Sequence, residues 1–285
     1  MPKTYNDLYM ETRRLFRDAD ISSYALEARL ICAKAAGKTV EKFMQQLQFY
    51  SNNQIARELE ALTARRLQGE PCAYITGSWE FYGLPIEVSP DVLIPRMDTE
   101  VLAEAAINDL KKRKMDARVL DLCAGSGCIG CAIAHELPGT RVVLSDISPK
   151  ALELCRRNAE LNRLSSRVSC IEADAMRSPP MLIGSFDLVV CNPPYIPTGE
   201  IPGLDCSVRD YEPHTALDGG IDGLDFYRTI LRAWKCVVRT GGVMMFEVGE
   251  DQADSVETLM RIAGFRGISS LEDTIGVRRV VTGHL

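Results

Sequence analysis

The first seventy residues repeat their apolar positions at helical spacing. TYNDLYMETRRLFRDA begins at Thr4, and SSYALEARLICAKAAG ends at Gly37, where a helix end tolerates a positive φ. After TVEKFMQQLQ, the tetrapeptide SNNQ at 51–54 predicts a capping box ahead of IARELEALTARRLQ, a helix that Gly69 would end. Short amphipathic helices joined by short loops indicate a small helical bundle, which we assign to residues 1–72.

The pattern changes from about Pro71 onward. AYITGSWEFYG and LPIEVSP are rich in aromatic and β-branched residues and are separated by a glycine. Such a pair of runs predicts a β-hairpin. We therefore expect residues 73–96 to form a hairpin linker between two domains.

Strands alternate with helices in residues 97–285. Asp98 is a predicted N-cap for TEVLAEAAINDLKKR, and the apolar runs VLDLCA, RVVLSDI, RVSCIEADA and FDLVVCN are then separated by helical segments. Uninterrupted apolar strands of this kind predict a parallel sheet that helices cover on both faces. FRGISSL and RRVVTGHL predict a closing antiparallel pair. Residues 196–222 show neither helical nor strand periodicity. A connection of this length in a compact domain is typical of a functional loop.

Composition and charge restrict the class of protein and its binding partners. The chain has 285 residues, 46% of them hydrophobic and 25% charged, as expected of a globular protein. Its formal charge of −6 disfavours unaided binding to nucleic acid. No stretch approaches the roughly 20 apolar residues of a membrane span, so we expect a cytoplasmic protein.

The ten cysteines lie mostly in apolar runs, as Cys32 and Cys236 do, and we expect them to be reduced and packed in the core. Cys128 and Cys131 form a C-x-x-C, but no second pair or suitably spaced histidine accompanies them. We therefore predict no metal site.

A glycine-rich loop follows the first strand of the α/β region. Gly125, Gly127 and Gly130 match G-x-G-x-x-G, in which glycines permit a tight turn and close approach of a ligand. Asp146 ends the next strand, about 20 residues later, where a carboxylate can accept hydrogen bonds from ribose hydroxyls. Asp146 could instead simply precede the helix that Ser148 caps. The loop suits NAD and S-adenosylmethionine equally, because both contain adenosine.

The positions of the histidines favour S-adenosylmethionine over NAD. Hydride transfer needs a proton donor, and we expect none of His135, His214 and His284 at the carboxyl end of a sheet strand. Asp174 could reach the adenine region or cap its own loop.

The stretch VVCNPPYIP ends a buried strand on a polar amide. A conjugated amide or amino nitrogen is a poor nucleophile and needs acceptors for its hydrogens. The Asn192 side-chain oxygen and the Pro193 carbonyl can be those acceptors, while Pro193 and Pro194 fix the backbone and Tyr195 can stack on a flat amide or base. The structural alternative is a strand that ends in a proline turn, with Tyr195 in the core.

Separated stretches of the chain resemble the peptide-chain release factor glutamine methyltransferases of the HemK/PrmC family. The resemblance includes Arg66 and covers nearly the whole chain. The stretches are GEPCAYITGSWEFYG at 69–83, LIPRMDTE at 93–100, VLDLCAGSGCIG at 119–130, CNPPYIP at 191–197 and YEPHTALDGGIDGLDFY at 211–227.

This resemblance implies a Rossmann-like, seven-stranded, S-adenosylmethionine-dependent methyltransferase domain with an N-terminal helical domain that helps to grip the substrate. The implied reaction methylates the side-chain amide of the glutamine in the Gly-Gly-Gln motif of bacterial class I release factors. The implied cofactor-binding residues are Cys123, Ala124, Gly125, Ser126, Gly127, Asp146 and Asn192. Asn192, Pro193, Pro194 and Tyr195 are the implied substrate clamp, and Asn192, Pro193 and Tyr195 its catalytic members.

The chain departs from the family at a few positions. Cys123 stands where glycine is frequent and Met97 where proline is frequent, while Ala175 cannot stack on adenine as a large side chain would. Arg96, Asp98 and Glu100 resemble a stretch near the methionine end of the cofactor, although helix capping explains Asp98 alone equally well.

Other substrates remain open. An adenine-amino nucleic-acid methyltransferase could use the same NPPY chemistry on a flipped base, and a ribosomal-protein glutamine methyltransferase is a nearer relative. A non-catalytic module that binds an adenosyl ligand is a further alternative.

Overall fold

The computed structural model describes residues 3–113 and 116–285 of the chain. These residues form two compact units, one comprising residues up to 78 together with 205–211, and the other comprising 79–204 and 212–285. The helices are α1 (Tyr5–Asp18), α2 (Tyr24–Ala35), α3 (Val40–Gln45), α4 (Asn53–Leu67), α5 (Cys72–Thr76), α6 (Thr99–Arg113), α7 (Cys128–Glu136), α8 (Pro149–Leu161), α9 (Cys206–Arg209), α10 (Asp225–Ala233) and α11 (Ala253–Ile262). The strands are β1 (Ser78–Phe81), β2 (Leu84–Glu87), β3 (Arg118–Leu122), β4 (Arg141–Asp146), β5 (Val168–Glu172), β6 (Phe186–Cys191), β7 (Val238–Glu247), β8 (Arg266–Glu272) and β9 (Arg278–His284).

The first unit is helical, as the periodicity predicted. Its apolar faces meet in a core that includes Phe16, Ile31 and Phe43. Thr4 and Asp7 form a capping box at the start of α1, and Gly37 has the predicted positive φ, at 62°.

Two local predictions in this region are wrong. The N-cap of α4 is Asn52, whose side chain accepts from the Ile55 amide, because the Ser51 hydroxyl donates to the Lys3 carbonyl instead. The run AYIT lies in the short helix α5, which ends at Gly77 with a positive φ of 71°. Ile75 packs in the helical core there, so burial overrides the strand preference of this run.

The predicted hairpin begins later than AYIT. β1 and β2 form a two-stranded sheet. Their connection is Tyr82-Gly83, with φ of 51° and 73°, which is the pair of positive angles that a two-residue turn requires.

The second unit is built around a seven-stranded sheet in the order β5-β4-β3-β6-β7-β9-β8. β3, β4, β5, β6 and β7 run parallel, whereas β9 is antiparallel to both β7 and β8, so the predicted closing pair is confirmed. Every residue of β6 is buried, as expected of a central strand covered on both faces. The order reverses at β3, and open α/β sheets bind ligands at the carboxyl ends of the strands beside such a reversal.

The connection after β6 contains short elements that its sequence did not indicate. An isolated parallel bridge joins Ile196 to Asp218, and a 3₁₀ turn covers Ile201–Gly203. The helix α9 follows, within residues 205–211 of the first unit.

One histidine does end a sheet strand, which corrects our expectation. His284 is the last residue of β9. It pairs with Val243, whereas the carboxyl end of β7, Glu247, pairs with Val280. Because β9 is antiparallel, His284 lies at the amino edge of the parallel strands, away from the glycine loop.

Most of the cysteines are buried free thiols, but Cys236 is exposed, contrary to the prediction. It lies in the 3₁₀ turn that follows α10, where the neighbouring Val237 is buried instead. Cys128 and Cys131 lie on α7 in the core, and burial raises the pKa of the Cys128 thiol to about 12. Within the described part of the chain, no helix has both the length and the apolar character needed to cross a membrane.

Candidate active site

The predicted site residues follow three adjacent strands at one level of the sheet. Leu122 at the end of β3 pairs with Ser145 on β4 and with Cys191 on β6. The glycine loop, Asp146 and Asn192 therefore all leave the sheet at its carboxyl edge. The strand order that brings them together could not be known from the local periodicity of each strand.

The glycine loop is a tight turn that begins at Cys123. Cys123 has a φ of 61°, a left-handed conformation that is unusual for a residue with a side chain. Gly125 and Gly127 also have positive φ, at 54° and 78°, and the Gly127 amide donates to the Ala124 carbonyl at 2.7 Å. The turn brings the chain directly into α7, whose first backbone amides have no partner in the helix itself.

The glycines of the loop serve different needs. A Cβ atom on Gly125 would meet nothing within 4 Å, so this part of the loop is open to a ligand. A Cβ on Gly127 would lie 2.8 Å from Cδ1 of Leu144, and one on Gly130 would collide with the same side chain. Gly127 and Gly130 therefore let α7 pack closely on β4, while Gly125 leaves the backbone accessible.

Asp146 joins the loop to the start of α8. Its Oδ2 accepts from the Gly125 amide at 2.8 Å, and its Oδ1 accepts from the Ser148 amide at 2.9 Å. Ser148 caps α8 as predicted. Burial raises the pKa of Asp146, and these backbone hydrogen bonds oppose the increase. A carboxylate has further lone pairs beyond those used here, so Asp146 can still accept from a ligand.

Asn192 is half-buried, and the buried Pro193 and Pro194 follow it. Its Nδ2 donates to Oγ1 of Thr99 at 3.3 Å. Thr99 is the first residue of α6 and is 2% exposed. With its nitrogen donating to Thr99, the Asn192 amide can present its oxygen as an acceptor.

Tyr195 is fixed at both its ring and its backbone. Its hydroxyl donates to Oε1 of Glu247 at 3.3 Å, and its carbonyl accepts from Nε2 of Gln252 at 2.8 Å. Glu247 ends β7, the neighbour of β6 in the sheet. Sequence reasoning singled out neither Glu247 nor Gln252, and the only available signal for Glu247 was its place at the end of a strand.

The segment after the bridge at Asp218 packs on the backbone of Tyr195. The Ile196 amide donates to the Leu217 carbonyl at 2.9 Å, and the Gly219 amide donates to the Ile196 carbonyl at 2.9 Å. A Cβ on Gly219 would lie 2.7 Å from Cα of Tyr195, and one on Gly223 would collide with the Tyr195 carbonyl. ALDGGIDGL therefore supports the NPPY turn from behind.

The stretch LIPRMDTE makes ion pairs and hydrogen bonds with residues elsewhere in the chain. Arg96 forms an ion pair with the buried Glu212, whose Oε2 also accepts from the Ile94 amide at 3.3 Å. The carboxylate of Asp98 lies 3.3 Å from a guanidinium nitrogen of Arg279 on β9. Glu100 accepts from the Tyr82 amide at 2.8 Å.

Three further residues that the sequence analysis discussed, Met97, Ala175 and Asp174, lie in different environments. Met97 is 84% exposed, whereas Ala175 is buried in the core beside the sheet. Asp174 follows β5 and accepts from the Met176 amide at 2.8 Å, which is the loop-capping alternative.

The arrangement combines an open glycine loop with a rigid amide oxygen at the same sheet edge. Among the described residues, no cluster of three or more histidine, cysteine or acidic side chains is arranged to hold a metal ion. The polar groups offered at this edge are hydrogen-bond acceptors and backbone amides. They are suited to orient a nitrogen that carries hydrogens.

Two protein families match separate parts of the chain. The methyltransferase small domain matches residues 98–201, and the PrmC N-terminal domain matches residues 7–77. The first match contains the glycine loop, Asp146 and the NPPY turn, and the second covers most of α1 and all of α2 to α5.

Similar proteins span most of the chain. A release factor glutamine methyltransferase of Geobacter sulfurreducens is 46% identical over 224 residues, which are 79% of this chain and 76% of the relative. Another from Chlorobaculum tepidum is 37% identical over 279 residues, which are 94% of this chain and 92% of the relative. Among solved structures, the catalytic domain of hMettl16 shares the fold, with a TM-score of 0.55 at 18% identity, over 83% of this chain and 84% of that one.

Proposed function

The chain belongs to the release factor glutamine methyltransferase family, and from this premise we propose that it transfers a methyl group from S-adenosylmethionine to a protein glutamine. The acceptor is the side-chain amide nitrogen of the glutamine in the Gly-Gly-Gln motif of class I release factors. The observation that carries the proposal is the Asn192 amide, held by Thr99 at the same sheet edge as the open glycine loop.

Cys123, Ala124, Gly125, Ser126 and Gly127 would hold the cofactor, with Asp146 at the ribose. Bound there, S-adenosylmethionine supplies an electrophilic methyl group. Support for this placement comes from the open space at Gly125 and from the remaining lone pairs of Asp146. Asn192 would adjoin the cofactor as well as the substrate.

The clamp acts on the substrate nitrogen. A glutamine amide nitrogen is unreactive because its lone pair is delocalised into the carbonyl. In our proposal Asn192 Oδ1 and the Pro193 carbonyl accept its two hydrogens and fix the direction of its lone pair, while the Tyr195 ring packs on the flat amide. The two prolines keep this geometry rigid.

The helical unit is proposed to bind the protein substrate, with residues 1–72 as the recognition domain, 73–96 as the hairpin linker and 97–285 as the catalytic domain. Release factors act on the cytoplasmic ribosome, so we place the enzyme in the cytoplasm. The formal charge of −6 supports a protein acceptor over direct nucleic-acid binding.

The test is methyl incorporation from radiolabelled S-adenosylmethionine into purified substrates. We expect label in a class I release factor and none in a release factor whose Gly-Gly-Gln glutamine is replaced by alanine. DNA and ribosomal protein serve as competing acceptors in parallel reactions. Label that appears only in nucleic acid or ribosomal protein, or that persists in the alanine variant, would overturn the proposal.

A further inference from the structure

A threonine and a glutamate lie behind the NPPY turn and are connected to it through side chains. We propose that Thr99 and Glu247 are positioning residues that determine which edge of the Asn192 amide faces the reacting nitrogen. The inference rests on the proposed function, because it concerns how the same clamp is oriented.

An asparagine amide has two edges of similar shape and opposite character, since one accepts hydrogen bonds and the other donates them. Rotation by half a turn would present Nδ2 to a substrate that itself needs an acceptor. The contact of 3.3 Å from Asn192 Nδ2 to Thr99 Oγ1 selects the productive edge only if the threonine hydroxyl accepts there.

Glu247 supplies the reason for the hydroxyl to accept from Asn192. Its side chain is 2% exposed, and Oε1 accepts from the Tyr195 hydroxyl at 3.3 Å. Its Oε2 is buried and makes no hydrogen bond within residues 3–113 and 116–285. The Thr99 hydroxyl nevertheless lies close enough to lower the pKa of Glu247. An ionised carboxylate beside this hydroxyl can only accept, so its negative charge favours the orientation in which the hydroxyl hydrogen faces Glu247 and the threonine lone pairs face Asn192.

Protonation of Glu247 would reverse these donor and acceptor roles. A neutral carboxyl group can donate to Thr99, whose hydrogen would then be free to point at Asn192 and favour the other amide edge. The ionised glutamate therefore corresponds to the competent clamp, which predicts loss of activity toward lower pH.

Several charged groups face Glu247 from the surrounding elements. The net pKa of Glu247 is raised to about 7, with burial as the largest cause, and the carboxylate of Asp98 beside α6 also acts to raise it. The hydroxyls of Thr99 and Tyr195 and the guanidinium of Arg279 on β9 lower it. On the α10 side, the neutral hydroxyl of Tyr227 donates to the Glu247 backbone carbonyl at 2.8 Å.

The variants that test the network differ by single groups. Thr99→Val removes the hydroxyl and keeps the shape, whereas Thr99→Ser keeps the hydroxyl. Thr229→Val is the matched control, a buried threonine of α10 in the same unit. We expect kcat for release factor methylation to fall roughly tenfold or more in Thr99→Val, as for the loss of one hydrogen bond, and to stay within about twofold in the other two. KM and cofactor Kd should change less than kcat.

The pH dependence of kcat provides a second test of the proposal. We expect wild-type kcat to fall as the pH is lowered through about 7, and Glu247→Gln to lose this dependence and have a reduced kcat, because a carboxamide cannot ionise. An unaltered acid limb in Glu247→Gln would contradict the proposal, as would a Thr99→Val enzyme with wild-type kcat or a Thr99→Ser enzyme without rescue.

A readout without substrate separates this inference from the proposed function. In the free protein, the carboxyl carbon of ¹³C-labelled Glu247 should titrate near pH 7, and its midpoint should rise in Thr99→Val and stay in place in Thr99→Ser and Thr229→Val. An unmoved midpoint in Thr99→Val overturns the network. A wild-type protein with the expected titration but no release factor methylation overturns the proposed function and leaves the network standing.

Discussion

At the residue scale, the proposed role of Asn192 uses one atom of its amide for chemistry and the other for structure. The nitrogen donates to Thr99, and we propose that the oxygen accepts from the substrate. Asn192→Ala should lower kcat by about a hundredfold or more, because it removes an acceptor that matters most as charge develops on the reacting nitrogen. Cofactor Kd by calorimetry should stay within a few fold. An equal loss of cofactor binding would show that Asn192 has a different role.

Asp146 is the residue whose loss should affect the cofactor. Asp146→Ala strands the Gly125 and Ser148 amides and removes the proposed ribose acceptor. We expect cofactor Kd to increase roughly tenfold or more, as for the loss of paired hydrogen bonds.

Asp174→Ala is the matched control for that measurement, since Asp174 also follows a strand and accepts from a backbone amide two residues on. Calorimetric affinity that is unchanged in Asp146→Ala, or reduced equally in both variants, would reject the ribose role.

At the scale of elements, the NPPY turn depends on the segment that packs behind it. Gly223 has a φ of 72°, and a Cβ there would collide with the Tyr195 carbonyl. Gly223→Ala should lower the free energy of unfolding by about 1–3 kcal/mol, the usual cost of overpacking, and should lower kcat through displacement of Tyr195.

Gly199→Ala, in the same connection, provides the comparison for Gly223. A Cβ at Gly199 would meet nothing within 4 Å, and its φ is not positive. Chemical denaturation and steady-state kinetics compare the free energy of unfolding and kcat of the two variants. Equal behaviour of the two variants would show that the segment does not support the turn.

At the scale of the whole molecule, buried carboxyl groups make stability depend on pH. Asp121 on β3 is fully buried; its Oδ2 accepts from the Gly130 amide, and burial raises its pKa to about 7. The folded protein therefore keeps a proton that the unfolded chain loses near pH 4. The stability that this proton contributes is fully present below the unfolded pKa and is lost as pH rises through about 7.

Asp121→Asn should remove that dependence. The amide oxygen can still accept from Gly130, but it carries no charge at any pH. Between about pH 5 and 7, the slope of the free energy of unfolding against pH should become more positive by about 1.4 kcal/mol per pH unit, equivalent to one proton. Urea denaturation across this pH range measures that slope. Asp91→Asn, at a partly exposed position, is the control. A slope equal to that of the wild type would contradict the assigned pKa.

The sequence identified the features that depend on neighbouring residues. Helical spacing, the start of the first helix at Thr4 and the glycine loop were predicted because each depends on residues a few positions apart. AYIT was misassigned because its strand preference is weaker than its burial in a helical core. Asn52 replaced Ser51 as the cap because Ser51 has a tertiary partner, Lys3, far away in the chain.

By itself, the sequence determined that a parallel sheet forms, that a glycine turn and a proline-fixed amide each end a strand, and that these match a methyltransferase family. Only the tertiary structure decided what holds that amide in place. Thr99, Glu247 and Gln252 reach the NPPY turn from α6, from the end of β7 and from the residue before α11. They are brought there by the strand order and by helix packing, and no local period in the sequence records contacts between residues so far apart.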